Sequence, residues 1–164
     1  MSRFKKIATV SVLSFAVLSN TASAATGTAS LGVSALVSSG CIVTALPLAF
    51  GSYDAQGAST LDASTSITVL CTLGTAYNVG LNAGGGTGAT VATRKLTSGS
   101  NLLNYTLYTD ANRTSVWGNT IGTDTVSGTY ALLQAPYTVY GRIPSGQTVA
   151  AGIYTDTVTV TITY

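Results

Sequence analysis

Two cysteines, Cys41 and Cys71, five aspartates and no histidine bound the chemistry open to this chain. Without histidine, a Ser-His-Asp relay is impossible. Two distant cysteines, with neither His nor Glu, make a poor zinc ligand set, so no metal is expected. The acids are Asp54, Asp62, Asp110, Asp124 and Asp156. They are scattered, and nothing places two of them together as a hydrolytic carboxylate pair. Gly84 to Gly88 lacks the following Gly-Lys-Ser/Thr of a phosphate loop and reads as a flexible turn. No catalytic residue, cofactor or enzymatic activity is expected. The cysteines are too far apart for a C-x-x-C redox motif. They are either bonded to each other or buried as free thiols.

The beginning of the sequence bears on that choice. Arg3, Lys5 and Lys6 precede an apolar run, Ile7 to Leu18, and Ala22-Ser23-Ala24 follows the small-x-small cleavage pattern. Residues 1–24 therefore read as a secretory signal peptide. As a membrane anchor the run is short. In an exported chain an isolated cysteine pair reads as a disulfide. Closing a loop of about thirty residues is worth roughly 3–4 kcal/mol in the chain-entropy model.

Past residue 24 the basic residues are Arg94, Lys95, Arg113 and Arg142, four against five aspartates, for a net charge of −1. That balance argues against nucleic acid as a partner, which needs a basic footprint, and against electrostatic membrane binding. With 7% charged residues overall, the surface must be built from Thr, Ser, Asn and Gly. About 140 residues suit one domain with one core.

The elements that position these residues read as short strands. In Ile153 to Tyr164, Tyr154, Val158, Val160, Ile162 and Tyr164 share one face with Asp156, and five threonines occupy the other. This is a half-buried strand. If it lies at a sheet edge, that edge can recruit another strand. Earlier strands are expected at Cys41 to Phe50, bent by Pro47, then Ser66 to Leu73, Thr75 to Asn82, Val91 to Leu96, around Leu103 to Leu107, Thr125 to Leu133 and Tyr137 to Ile143. Glycine-rich turns separate them. Strands every ten or so residues predict an all-β sandwich. Before the first cysteine, Ala29, Leu31, Val33, Ala35 and Val37 form the apolar face of a further strand pattern. It is rich in Gly, Ala and Ser, and can pair within its own domain or with a neighbour.

A set of motifs in order carries a resemblance over the whole chain past the signal peptide. Cys41 is followed by Leu46-Pro47-Leu48-Ala49-Phe50-Gly51-Ser52-Tyr53. Then come Val69-Leu70-Cys71-Thr72, Tyr77-Asn78-Val79-Gly80-Leu81-Asn82, Leu103-Asn104-Tyr105-Thr106-Leu107-Tyr108 and Trp117-Gly118. Tyr140-Gly141-Arg142-Ile143-Pro144 and Gly152-Ile153-Tyr154-Thr155-Asp156 complete it. The chain resembles the spore coat protein U domain family, which includes pilin subunits of the archaic chaperone–usher pathway. The resemblance implies an incomplete immunoglobulin-like sandwich lacking its last strand. A periplasmic chaperone would fill the gap first. At the outer-membrane usher, the N-terminal strand of an identical or related subunit would replace it, and the product would be a surface fimbria. On this reading residues 25–39 are the donor segment, with Ala29, Leu31, Val33, Ala35 and Val37 pointing into a neighbour. Residues 40–164 are the sandwich, with Tyr154, Val158, Val160, Ile162 and Tyr164 flanking the gap.

Two other readings stay open. A coat or matrix protein could use the same fold without an ordered pilus. Trp117 and the tyrosines could stack on carbohydrate in an adhesive module, although core packing explains such residues more simply. Asn104-Tyr105-Thr106 and Asn112-Arg113-Thr114 match the glycosylation pattern, as chance often allows.

Overall fold

A computed structural model describes residues 24–132 and 136–164 of the chain. The expected signal peptide lies outside the described residues except for Ala24. The chain divides into two units, residues 1–35 and 36–164. In the first, residues 24–35 form neither helix nor strand and are exposed throughout.

The second unit is the two-sheet, all-β sandwich expected from the strand spacing. Its strands are β1 (Cys41–Ala45), β2 (Leu61–Cys71), β3 (Ala76–Leu81), β4 (Arg94–Ser98), β5 (Asn101–Tyr108), β6 (Val126–Thr129), β7 (Tyr137–Ile143) and β8 (Val160–Thr163). One sheet has the order β1-β2-β7-β5-β4 and the other β6-β3-β8. Every pairing is antiparallel. Ile67 and Val69 of β2, Tyr77, Val79 and Leu81 of β3, Leu103, Tyr105 and Leu107 of β5, and Val139 and Ile143 of β7 are buried between the sheets. Their spacing of two is the pleat itself. Each large side chain so buried stabilises the fold by about 1.5–3 kcal/mol. Trp117 belongs to the same core, 1% exposed, with its indole N–H donating to the Val79 carbonyl at 2.9 Å. It is therefore not available to stack on a sugar.

Several boundaries differ from the expectation, for local reasons. β1 stops at Ala45 because Pro47 has no N–H for the ladder. Leu48 and Phe50 then fold over β7, where Gly141 leaves room for them. A Cβ on Gly141 would meet both at 2.8 Å. β2 begins at Leu61, five residues before Ser66, since Asp62 sits opposite Arg142 in the ladder with β7 and accepts two guanidinium hydrogen bonds, at 2.7 and 2.8 Å. Leu73 leaves the core and is exposed, because the Thr75 N–H closes a turn onto the Thr72 carbonyl. Paired main-chain bonds between Thr90 and Thr93 make a turn where Val91 to Leu96 was expected to be strand, so β4 starts at Arg94. The expected Thr125 to Leu133 strand is held to the four residues of β6; Leu133 lies outside the described residues.

The terminal strand is shorter than its pattern. Only Val160–Thr163 join a ladder, and Thr155 makes an isolated bridge with Thr97 of β4. Alternation nevertheless runs through the segment, with Tyr154, Asp156, Val158, Val160 and Ile162 half-buried and the intervening threonines exposed. Tyr164 departs from it and is exposed, because the ladder with β3 ends at Thr163.

Cys41 and Cys71 are directly opposite in the β1–β2 ladder and are joined by a disulfide. The bond ties the edge strand β1 to the body of its sheet. Replacing both by serine should lower resistance to urea by about 3–4 kcal/mol of unfolding free energy. A midpoint unchanged by the double substitution would show that the β1–β2 pairing holds without the bond.

Candidate functional site

The site is a groove along β8. Thr159 bonds Asn82, the residue just past β3, twice, its carbonyl accepting from the Asn82 main-chain N–H at 3.1 Å and its N–H donating to Asn82 Oδ1 at 2.8 Å. Peptide groups alternate sides along a strand. Thr161 and Thr163 therefore turn theirs toward β3, and Val158, Val160 and Ile162 present theirs at the opposite edge. Among the described residues no strand pairs with that edge. β1 comes within 8 Å of β8, but no ladder joins them.

Below this edge the two sheets part. A cleft of about 330 Å³ opens between residues 45–50 on one side and 156–160 on the other. Its floor is the apolar core: Ile67, Leu81, Leu107 and Val139. A second cleft, of about 800 Å³, continues past Leu48, Phe50 and Leu96, which line both, to Leu103, Val149 and Tyr154. The side chains of the terminal segment stay half-buried, and among the described residues no strand pairs over them on this side. An apolar floor beside unpaired main-chain groups can accept an extended segment as an added strand.

Where the clefts meet, the wall is polar. Asp156 accepts a hydrogen bond from the Tyr105 hydroxyl at 2.7 Å, from the Gly85 N–H at 2.7 Å and from the Thr157 N–H at 2.8 Å. The 84–88 turn thus anchors a carboxylate on an otherwise apolar face. Tyr105 packs edge-on against Phe50, ring centroids 5.9 Å apart. Burial first, and then the bond to Asp156, push the Tyr105 hydroxyl far above its ordinary pKa of 10.0.

Arg94 holds the frame around this point. It is fully buried, and its guanidinium donates to the carbonyls of Asn82 at 2.8 Å, Val91 at 2.7 Å, Leu81 at 2.9 Å and Trp117 at 2.7 Å. Burial lowers its pKa from the ordinary arginine value. One side chain therefore closes the end of β3, the 90–93 turn and the Trp117 loop around β8. Neither Arg94 nor the Tyr105–Asp156 pair was legible as a site. Arg94 stands in a run of polar residues, Thr93-Arg94-Lys95, with no alternation to mark it as inward.

Of the residues expected at a gap, Val158 and Val160 line the first cleft and Tyr154 the second; Ile162 packs against the core but lines neither, and Tyr164 is exposed. Those expected to act as a donor, Ala29, Leu31, Val33, Ala35 and Val37, are exposed and in no strand, with Leu31 88% and Val33 87% accessible.

A family model described as the Spore Coat Protein U domain matches residues 27–161. The chain is 36% identical, over 177 aligned positions and 96% of both chains, to the Myxococcus xanthus protein described as "Protein U". It is also similar to a chain in the crystal structure of the CsuC–CsuE chaperone–tip adhesion subunit pre-assembly complex from archaic chaperone–usher Csu pili of Acinetobacter baumannii. There the TM-score is 0.53 and the identity 25%, over 78% of this chain and 40% of that one.

Tyr105→Phe should cost about 1.5–3 kcal/mol, the range for a hydrogen bond to a charged group. It should also change the alkaline response. The folded chain keeps the Tyr105 proton above pH 10 and the unfolded chain releases it. Stability from this group is complete below the unfolded value and declines by about 1.4 kcal/mol per pH unit above it. The phenylalanine variant should lose stability less steeply above pH 10. Urea melts through that range check it; parallel slopes for the two chains would refute the assignment.

Proposed function

This chain belongs to the spore coat protein U domain family, and from that premise we propose that it is a structural subunit of a surface pilus built through the archaic chaperone–usher pathway. The observation that carries the proposal is the open edge of β8 above a 330 Å³ apolar cleft. Residues 1–24 direct export and residues 40–164 form the acceptor domain. The segment 25–39 supplies the donor strand to the next subunit, with Ala29, Leu31, Val33, Ala35 and Val37 entering the cleft beside Tyr154, Val158, Val160 and Ile162. A periplasmic chaperone occupies the groove before the outer-membrane usher exchanges it for the next subunit. The fibre then serves attachment or biofilm formation at the cell surface. In such addition the main-chain bonds supply affinity and alternate side chains supply fit.

A second reading, a coat or matrix protein, draws on the family's description and on the 36% identity to Protein U. Electron microscopy of producing cells separates the two. The pilus reading requires thin fibres labelled by antibody to this chain, and the coat reading an amorphous layer.

Two further outcomes are expected. Val160→Asp buries a carboxylate with no partner in the groove and should abolish both chaperone-bound subunit and fibres. Thr159→Asp, on the exposed face, should be milder. Equal loss in the two would overturn the face assignment. Separately, a chain lacking residues 25–38 should be held by a chaperone yet fail to donate. A second copy of residues 27–37 grafted after Tyr164, through a tight turn, should make that truncated chain a soluble monomer with a cooperative melt. The same graft with Val33→Asp should not. If the ungrafted truncation already melts with the grafted one, the domain is complete without a donor and the proposal fails.

A further inference from the structure

The groove is not uniform, and its variation matches that of the exposed segment. Along the terminal strand, Val160 and Val158 border the first cleft and Tyr154 the second, with Asp156 between them. Asp156 does not retract from the groove, because Tyr105, Gly85 and the Thr157 N–H fix both of its oxygens. The segment has the complementary profile on its odd-numbered face: Leu31 and Val33 large, Ala35 small, Val37 large.

We propose that the Tyr105–Asp156 pair sets the register in which a second copy of this chain enters the groove, by admitting only a small side chain at that point. The inference rests on the donor-strand reading above. Ala35 lies over Asp156. In an antiparallel strand, Val33 then falls beside Val158, Leu31 beside Val160 and Ala29 beside Ile162. Val37 reaches the second cleft beside Tyr154. A shift of two residues either way sets Val33 or Val37 against the carboxylate. A parallel fit with Ala29 over Asp156 is sterically allowed on this face. It leaves the cleft at Tyr154 empty and sends Val37 to Tyr164, which is exposed. A parallel fit with Ala35 over Asp156 puts Val33 at Tyr154 and Val37 at Val158 but sets Ser39 against Val160. The antiparallel register with Ala35 at Asp156 is therefore the one that gives Tyr154, Val158 and Val160 each an apolar partner and keeps the carboxylate clear.

Introduced cysteines read the register in assembled fibres of the otherwise unaltered chain, in which Cys41 and Cys71 are already bonded and no free thiol is described. Directly opposed residues have Cβ atoms about 4.5–5.5 Å apart, which a shift of up to about 1 Å brings to disulfide distance, and diagonal neighbours about 7–8 Å, too far for one. Chains carrying Leu31→Cys with Val160→Cys, or Val33→Cys with Val158→Cys, should form a covalent ladder on mild oxidation. Leu31→Cys with Val158→Cys, and Val33→Cys with Val160→Cys, should not. Ladders from the second pair of chains instead of the first overturn the register and leave the donor reading standing. Fibres that ladder with none of the four overturn the register.

Should the cysteine chains fail to assemble, fibre yield from single substitutions decides the matter. Ala35→Leu should reduce assembly about tenfold through overpacking against Asp156, with Ala29→Leu near the unaltered yield. Equal yields, or the reverse order, overturn the proposal.

Discussion

The structure turns on an apolar core that its own sheets leave open along one side. Ile67, Leu81, Leu107 and Val139 are buried by neighbours from both sheets, yet all four also floor a cleft that reaches solvent. Above it, the outward peptide groups of β8 have no ladder partner among the described residues. Water can bond these edge groups, but the apolar floor beneath them is costly to leave uncovered. The geometry that relieves the cost is one more strand. The low charge of the chain fits this demand, since a surface of Thr, Ser and Asn can approach another subunit without desolvating many ions.

An open groove must keep its shape while empty, and polar contacts hold it. Arg94 satisfies four backbone carbonyls, those of Leu81, Asn82, Val91 and Trp117, and so ties the end of β3 to two loops. Asp156 joins the terminal strand to Tyr105 of the opposite sheet and to the 84–88 turn. The disulfide fixes β1 against β2 on the far wall. Apolar contacts alone would favour collapse of the two walls onto each other. Directional bonds to fixed partners oppose that collapse, and they place a polar step where a uniform trough would accept a sliding strand.

The amino-acid pattern by itself determined the all-β class and the alternation from Tyr154 to Ile162. Each rests on period-two placement of large apolar residues, a local property of the chain. The cysteine pairing followed from an isolated pair in a chain that begins like an exported one. Where strands stop was not legible. The early start of β2 depends on Arg142, eighty residues from Asp62, and the turn at Thr90–Thr93 displaced β4 by the geometry of its own main chain.

The site was half legible for the same reason. The valines and isoleucine of the terminal segment announce a buried face, but not whether a strand covers it. Only the tertiary structure decided that β8 is an edge, that Tyr164 runs past its ladder, and that Tyr105 and Gly85 reach the Asp156 carboxylate on that face. Arg94, polar by type and fully buried in place, shows the limit most plainly. Its environment is assembled from Leu81, Asn82, Val91 and Trp117, and a pairing of one guanidinium with carbonyls so far apart in the chain exists only once the sheets have met.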